Sequence, residues 1–217
     1  MRINEIITES LDEETVDEWS DTDEGIVKAL KKKGYKYLGS GVDQTAFIEP
    51  GTGFVLKIFG TQGKKGFSRD HKMFFVWADF CSKHQDNPYL PRIYAHESFL
   101  WQDPETKKQH RYLMIRTEQL YNSGRIGGTL DDLARGFDYW PGFDQALERY
   151  HNVTDKNERQ QLLKLLGKKG FERLTKTIHE LAQIARKKGW GLDLHGGNFM
   201  LRKNGTPVIN DPWVVSN

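Results

Sequence analysis

The stretch DLHGGNFMLRKNGTPVIND, residues 193–211, decides how the chain is interpreted. Its asparagine-glycine dipeptide at 204–205 lies between two short apolar runs, a pattern that predicts a β-hairpin. Side chains that carry oxygen atoms stand on both sides of this hairpin: Asp193 and Asn198 precede it, and Asp211 follows it. We therefore expect the hairpin to bring these three side chains close together.

These side chains suit a magnesium site with a base beside it. Mg²⁺ prefers oxygen ligands in octahedral geometry, and Asn198 with Asp211 supplies one amide oxygen and one carboxylate. Asp193 needs no contact with the metal and could accept the proton of a hydroxyl group. Taken singly, each residue could serve instead as a loop cap or an Asx turn, but their order favours a site. His195 has no histidine or cysteine nearby at ligand spacing, so we interpret it as support for the loop.

A second feature is a small-residue turn in the first part of the chain. Gly39, Ser40 and Gly41 follow the strand-like run Tyr35–Leu38 and precede a second run, Thr45–Glu49. Glycine lets backbone amides approach phosphate oxygens closely. A glycine-bearing hairpin without any ligand would look the same, so this turn indicates a phosphate site only in combination with other features.

Lys57 lies in an otherwise apolar strand-like run, Phe54–Phe59. A lysine in such a run either extends its ammonium group to the edge of the sheet or points into a cleft beside a charge partner. We expect partial burial, with Asp70 in the first turn of the next helix as the partner and Asp79 as the second choice.

The remaining pattern predicts an α+β chain in two parts. Residues 35–120 contain five strand-like runs and one helix, which begins near Ser68 and ends before Pro88. In residues 121–217 apolar residues recur at three- to four-residue steps, which predicts helices. The last of these helices ends at Gly189, and an irregular loop over Trp190–Asn198 leads into the hairpin.

Composition narrows the class of protein. The chain has 217 residues, a net charge of +2 and one cysteine, Cys81, which fits a reducing compartment and which we interpret as part of a core. No apolar run approaches the roughly 20 residues that span a bilayer, and no basic segment followed by an apolar one marks the start of the chain for export. We expect a cytoplasmic protein that does not contact a membrane. The sequence carries no strong signal for nucleic-acid binding.

Residues 1–34 carry an uneven charge. Glu5 to Glu24 contain acidic residues and no lysine or arginine, whereas lysines follow at positions 28, 31, 32, 33 and 36. This pattern is typical of a solvated helix followed by a second charged face. It would also suit an acidic arm that docks a protein partner or covers a basic cleft.

Together these features resemble the protein-kinase-like superfamily over about residues 35–213. The residues that match its motifs are Gly39, Gly41 and Ala46 in the glycine-rich loop, Lys57 in the third strand, Asp193 and Asn198 in the catalytic loop, and Asp211 in the metal-binding DFG motif. The sequence of residues 193–198 is more similar to the catalytic loop of aminoglycoside and choline kinase-type phosphotransferases than to that of typical protein kinases.

The resemblance implies a two-lobed kinase-like fold. Residues 35–120 would form an N-lobe with a five-stranded antiparallel sheet and one helix, and residues 121–217 would form a reduced helical C-lobe with a small β-hairpin. It also implies ATP and Mg²⁺ as cofactors, and transfer of the γ-phosphoryl group to a hydroxyl-bearing acceptor.

The resemblance further implies roles for particular residues. The small-residue turn would cover the phosphates, and Lys57 would hold the α and β phosphates with Asp70 as its helix partner. Thr117 would be the gatekeeper, and backbone groups of Glu118 and Leu120 would bind adenine.

Departures from the family pattern bear on the acceptor. Gln44 replaces the third glycine, Gly191-Leu192 stands where the family has His-Arg, and Pro212-Trp213 stands where it has Phe-Gly. Without that arginine, control through a phosphorylated activation loop loses its anchor. The chain ends six residues after Asp211, so we expect no activation segment and favour a small-molecule acceptor over a protein.

Two other interpretations stay open. The short second part would suit a pseudokinase-like module that binds a nucleotide or a partner without transferring phosphate. The acidic arm and the lysine cluster would suit an interaction protein.

Overall fold

The computed structural model describes residue 27 and residues 30–40, 44–59, 71–102, 109–123, 126–139, 142–153 and 156–215. These residues fall into two compact units. The first unit contains the chain up to Gln85 together with Arg92–Gln119, and the second contains Asp86–Pro91 and Leu120–Asn217. The chain is therefore α+β with two separately packed parts.

The first unit is built on a five-stranded antiparallel sheet, as the sequence predicts. Its elements are β1 (Lys36–Ser40), β2 (Gln44–Ile48), β3 (Val55–Phe59), α1 (His71–Lys83), β4 (Ile93–Gln102) and β5 (Gln109–Thr117). The strands stand in the order β1-β2-β3-β5-β4. A tight turn joins β2 to β3, where Gly51 and Gly53 take φ angles of 76° and 70° that glycine tolerates.

The side chains of the central strand β3 alternate between the two faces of the sheet. Other side chains pack against both faces. Leu56 and Ile58 point into a buried cluster on one face. This cluster also contains Leu30, Tyr35, Phe47, Tyr112 and Met114. Phe59 points to the other face, where its ring lies 4.4 Å from the ring of Phe74 in α1. Lys57 shares that second face, since it stands two residues from Phe59.

The second unit combines helices with short strands. Its elements are β6 (Tyr121–Asn122), α2 (Ile126–Tyr139), α3 (Phe143–Val153), α4 (Lys156–Lys188), β7 (Trp190–Leu192), β8 (Phe199–Leu201), β9 (Pro207–Ile209) and β10 (Trp213–Val215). The helix α4 is interrupted at Gly167, whose φ of 67° and ψ of 168° are not helical. β6, β8 and β9 form one sheet, and β7 pairs with β10. The predicted hairpin is confirmed in β8 and β9, with Gly205 at a φ of 84° in its turn.

Hydrogen bonds tie Asp86–Pro91, which follow α1 in the chain, into the second unit. Asn87 Nδ2 donates to Thr177 Oγ1 of α4 at 2.8 Å. Ile209 N donates to Tyr89 O at 2.9 Å, which fixes the segment along β9. The segment is thus part of the packing between α4 and the hairpin.

The expected irregular loop over Trp190–Asn198 is wrong in part. Its first three residues form β7, which pairs with β10, and Gly196–Asn198 form a 3₁₀ turn. The sequence pattern missed this pairing because each strand has only three residues and the hairpin separates them. Trp213 anchors β10, since its buried side chain donates through Nε1 to Leu181 O at 3.0 Å.

Other expectations agree with the structure or lie outside the described residues. The helix α1 ends at Lys83, before Pro88, as the sequence predicts. Its predicted start near Ser68 and the acidic segment Glu5 to Glu24 fall outside the described ranges. Within those ranges, no helix combines the length and the apolar character that crossing a membrane requires.

Candidate functional site

The pairing of β7 with β10 fixes the position of Asp193. Leu192 stands opposite Trp213 at the end of this pairing. Asp193 N extends it by donating to Pro212 O at 2.7 Å. Asp193 is therefore held beside the residue that follows Asp211.

The β8–β9 hairpin fixes the position of Asn198 in the same way. Asn198 O accepts a hydrogen bond from Asn210 N at 2.8 Å, just beyond the end of the hairpin. Asp211 stands between Asn210 and Pro212, the two residues that these bonds hold. These backbone bonds thus place the backbones of Asp193, Asn198 and Asp211 next to one another in the second unit, and all three residues are partly buried.

Hydrogen bonds within the loop set the orientation of the Asn198 amide. Its Nδ2 donates to Asp193 O at 2.6 Å. Because the nitrogen end is used in this way, the Oδ1 atom is the end that can bind a cation. His195 supports the same loop, since its Nδ1 accepts from Gly197 N at 3.1 Å and its carbonyl accepts from Asn198 N at 2.8 Å.

The first turn of α2 packs directly against this loop. A Cβ atom added at Gly127 would lie 2.7 Å from Ser123 Oγ and 2.8 Å from Gly196 O, closer than side chains normally approach. Ser123 Oγ donates to Gly196 O at 3.2 Å, which closes the contact. At the neighbouring Gly128 an added Cβ would meet nothing within 4 Å. Position 127 therefore needs glycine for close approach, whereas position 128 does not.

A cavity of about 350 Å³ lies beside Asp193, within the second unit. Its walls come from α2 and from the end of β7 with the following loop: Asp131, Ala134, Arg135, Leu192, Asp193, Leu194 and His195. Arg135 and Asp131 form a two-pronged ion pair, with Nε to Oδ1 at 2.9 Å and Nη2 to Oδ2 at 3.1 Å. The cavity thus contains the proposed base and an oriented guanidinium-carboxylate pair.

Sequence reasoning missed the α2 residues of this cavity. Gly127, Asp131 and Arg135 follow one another at four-residue steps, so they share one face of the helix. That spacing was available in the sequence. What could not be predicted is that this face lies along residues 192–196, because the contact depends on how the helix packs.

In the first unit, sheet register aligns the predicted phosphate-binding residues. Gly39 of β1 stands opposite Ala46 of β2, Ala46 stands opposite Lys57 of β3, and Lys57 stands opposite Ile115 of β5. Residues that stand opposite one another point to the same face of a sheet. Ser40 ends β1, and Gly41 lies outside the described residues.

Lys57 is partly buried, as expected, on the face that α1 covers. Cys81 of α1 is a fully buried free thiol, which confirms its place in the core. Burial raises the pKa of the Cys81 thiol well above its ordinary value, and the nearby charge of Lys57 acts in the opposite direction. The expected partner Asp70 lies outside the described residues. The second choice, Asp79, contacts His96 Nε2 through Oδ1 at 3.1 Å.

Two of the residues expected to bind adenine or to lie beside it, Thr117 and Glu118, form hydrogen bonds with Arg92, which directly precedes β4 in the first unit. Thr117 Oγ1 donates to Arg92 O at 2.9 Å, and Glu118 N donates to the same oxygen at 3.2 Å. The Glu118 carboxylate accepts from Arg92 N at 2.9 Å. The backbone amide of Glu118 is therefore engaged within the first unit. Leu120 is partly buried and begins the second unit.

Histidine, cysteine and acidic side chains do not form a metal-binding group of three or more in the part of the chain that the structure describes. A magnesium site with one carboxylate and one amide oxygen would complete its shell with phosphate and water. Asn198 and Asp211 fit this kind of site. In comparisons with known proteins, no family model matches the chain and no curated protein matches its sequence.

Proposed function

We propose that the chain is an ATP- and Mg²⁺-dependent phosphotransferase of the protein-kinase-like type, which transfers the γ-phosphoryl group to a hydroxyl group of a small molecule. The observation that carries the proposal is the position of Asp211 between Asn210 and Pro212, whose bonds to Asn198 and Asp193 bring the three predicted residues together. Carboxylate and amide oxygens beside a second carboxylate supply both a cation site and a base.

In this proposal the second unit carries the chemical step. Asn198 Oδ1 and the Asp211 carboxylate would hold Mg²⁺, and the bound ion would supply positive charge to the phosphates. Asp193 orients the acceptor hydroxyl and takes its proton. The acceptor oxygen forms a bond to the γ-phosphorus, and the bond from that phosphorus to the bridging oxygen of ADP breaks, with the electron pair leaving on ADP.

The resemblance also implies nucleotide-binding roles for residues of the first unit. Backbone amides of the turn at Gly39, Ser40 and Gly41 cover the phosphates, and Lys57 contacts the α and β phosphates. By the same resemblance, Asp70 would pair with Lys57. The backbone groups of Glu118 and Leu120 bind adenine. Each role follows the resemblance in sequence, and the alignment of Gly39 with Lys57 across the sheet supports the first two.

A panel of nucleotides in a thermal unfolding assay tests the proposal. A ligand present at about 100 times its dissociation constant stabilises a protein by about 2.7 kcal/mol. We expect ATP with Mg²⁺ to raise the unfolding temperature, and EDTA to remove most of the effect. If no nucleotide raises it, the proposal is wrong.

Phosphoryl transfer separates the proposed enzyme from a pseudokinase-like module. We expect the purified chain to convert ATP to ADP in the presence of Mg²⁺ and a hydroxyl-bearing acceptor. Nucleotide binding without any ADP formation across a broad acceptor panel would favour the module.

A further inference from the structure

The edge strand β1 of the first unit presents an exposed surface. In the part of the chain that the structure describes, β1 ends the sheet, and no strand pairs with its outer edge. Three consecutive residues of this strand, Lys36, Tyr37 and Leu38, are exposed. The exposed fractions of Tyr37 and Leu38 are 40% and 47%. Proteins commonly cover such an edge with another segment, because it can otherwise pair with other chains.

Lysines make this surface positively charged. Lys31 is exposed, and its Nζ lies 5.4 Å from the centre of the Tyr37 ring. Residues 25–40 contain five lysines and no acidic residue, and the neighbouring strand β2 contains no charged residue. The next acidic residue in the sequence, Asp43, follows the far end of β1 and lies outside the described residues. We call Lys31, Lys36, Tyr37 and Leu38 the β1 surface.

The charges elsewhere on the sheet distinguish its two edges. Glu49, which follows β2, is already engaged, since its carboxylate accepts from Arg116 Nε at 2.9 Å and from Thr52 Oγ1 at 2.6 Å. At the opposite edge, β4 contains Glu97 and neither lysine nor arginine. A negatively charged segment therefore complements β1 and not β4.

The chain itself contains such a segment, the acidic arm of residues 5–24. The arm has ten acidic residues and neither lysine nor arginine, and it also contains the apolar residues Ile6, Ile7, Leu11, Val16 and Trp19.

The end of the acidic arm is tethered close to β1. Leu30 is fully buried in the cluster that contains Tyr35, and Val27 packs against this cluster. Tyr35 N donates to Leu30 O at 2.9 Å, and Tyr35 directly precedes β1. Glu24 is three residues before Val27, a separation of at most about 11 Å. A tether this short raises the effective concentration of the arm at β1 to roughly the millimolar range.

We propose that the acidic arm docks on the β1 surface of the same molecule. Its carboxylates pair with Lys31 and Lys36, and its apolar side chains cover Tyr37 and Leu38. A second copy of β1 would suit this edge less well, because it would bring lysines opposite lysines. The inference does not depend on the proposed phosphotransferase function.

Amide hydrogen exchange in the full chain, followed by NMR at Tyr37, Leu38 and Gly39, tests the inference. A docked arm shields the amides of an edge strand from water. Exchange should therefore be about 3- to 10-fold slower in the wild type than in a variant carrying Lys31→Glu and Lys36→Glu. Salt at about 1 M, where the Debye length is about 3 Å, should also speed exchange in the wild type.

Two further variants show whether the effect comes from this pairing. Lys168→Glu with Lys169→Glu, at exposed positions of α4, changes the net charge by the same amount and should leave exchange in β1 unchanged. Adding Glu13→Lys and Asp17→Lys to the variant with glutamates at 31 and 36 should restore slow exchange, because opposite charges meet again.

Each other outcome would overturn the inference. Equal exchange in the wild type and the Lys31→Glu, Lys36→Glu variant would show that these lysines only keep the edge from pairing with other chains. An equal change in the α4 control would assign the effect to net charge. Failure of the reversed arm to restore slow exchange would show that the lysines act without the arm. Slow exchange that is lost on tenfold dilution of the wild type would place the arm of a second copy on this surface.

Discussion

The two units hold their predicted site residues in different ways. In the second unit, the proposed base and cation ligands come from the single stretch 193–211, and two short pairings beside one hairpin bring their backbones together. In the first unit, the small-residue turn, Lys57 and Asp70 are far apart in the sequence, and among the described residues the sheet register aligns Gly39 with Lys57. A site made from one hairpin can be read from sequence order, whereas a site made from several elements depends on their packing.

The largest expected effect on the transfer rate is at Asp193, in the second unit. Asp193→Asn keeps the shape of the side chain but removes the proton acceptor. The rate of phosphoryl transfer should fall by about 10²- to 10⁴-fold, and the affinity for ATP with Mg²⁺ should stay close to that of the wild type. Quenched-flow measurement of ADP formation and a separate titration of nucleotide binding check the two parts. A transfer rate equal to that of the wild type would contradict the role.

A second prediction compares the units directly. Asp211→Asn should weaken ATP binding by at least about 10-fold in the presence of Mg²⁺ and should remove the difference between Mg²⁺ and EDTA. Lys57→Met should also weaken ATP binding, but the remaining binding should still depend on Mg²⁺, because the proposed cation ligands are intact. Calorimetric titrations with and without Mg²⁺ distinguish these results. The same loss of Mg²⁺ dependence in both variants would remove the proposed division between the units.

A third prediction concerns the packing of α2 on the loop. Gly128→Ala should stabilise the chain by up to about 1 kcal/mol, since alanine is favoured over glycine in a helix and space is open there. Gly127→Ala should destabilise it by about 1–3 kcal/mol, because the new methyl group would overlap Ser123 and Gly196. Denaturant unfolding of both variants measures the difference. Equal effects at the two positions would show that the close contact is absent.

The smallest expected effect comes from His179, in α4 of the second unit. Burial, and to a lesser extent the charge of Arg186, lowers the pKa of His179 from its ordinary value of 6.5. The unfolded chain therefore binds a proton at a higher pH than the folded chain, and stability should fall as the pH decreases below about 6.5. His179→Leu should lose less stability than the wild type between pH 7 and pH 5 in unfolding titrations. An identical pH dependence would show that His179 does not contribute.

Particular residues show how much of the fold and of the candidate site the sequence could predict. The hairpin around Gly205 and the sheet of the first unit were predictable, because turn residues and alternating apolar runs are local signals. The pairing of β7 with β10 was not, since three-residue strands carry almost no periodicity. The placement of Asp131 and Arg135 was also beyond reach, because it depends on which face α2 turns toward the loop.

The central claim is that Asn198 and Asp211 act on one cation, and a double-mutant cycle tests it most directly. The affinity for ATP in the presence of Mg²⁺ is measured for the wild type, Asn198→Ala, Asp211→Ala and the double variant. If both side chains hold the same ion, the loss in the double variant should be clearly smaller than the sum of the two single losses, expressed as free energies. Losses that simply add, or no loss in either single variant, would contradict the account.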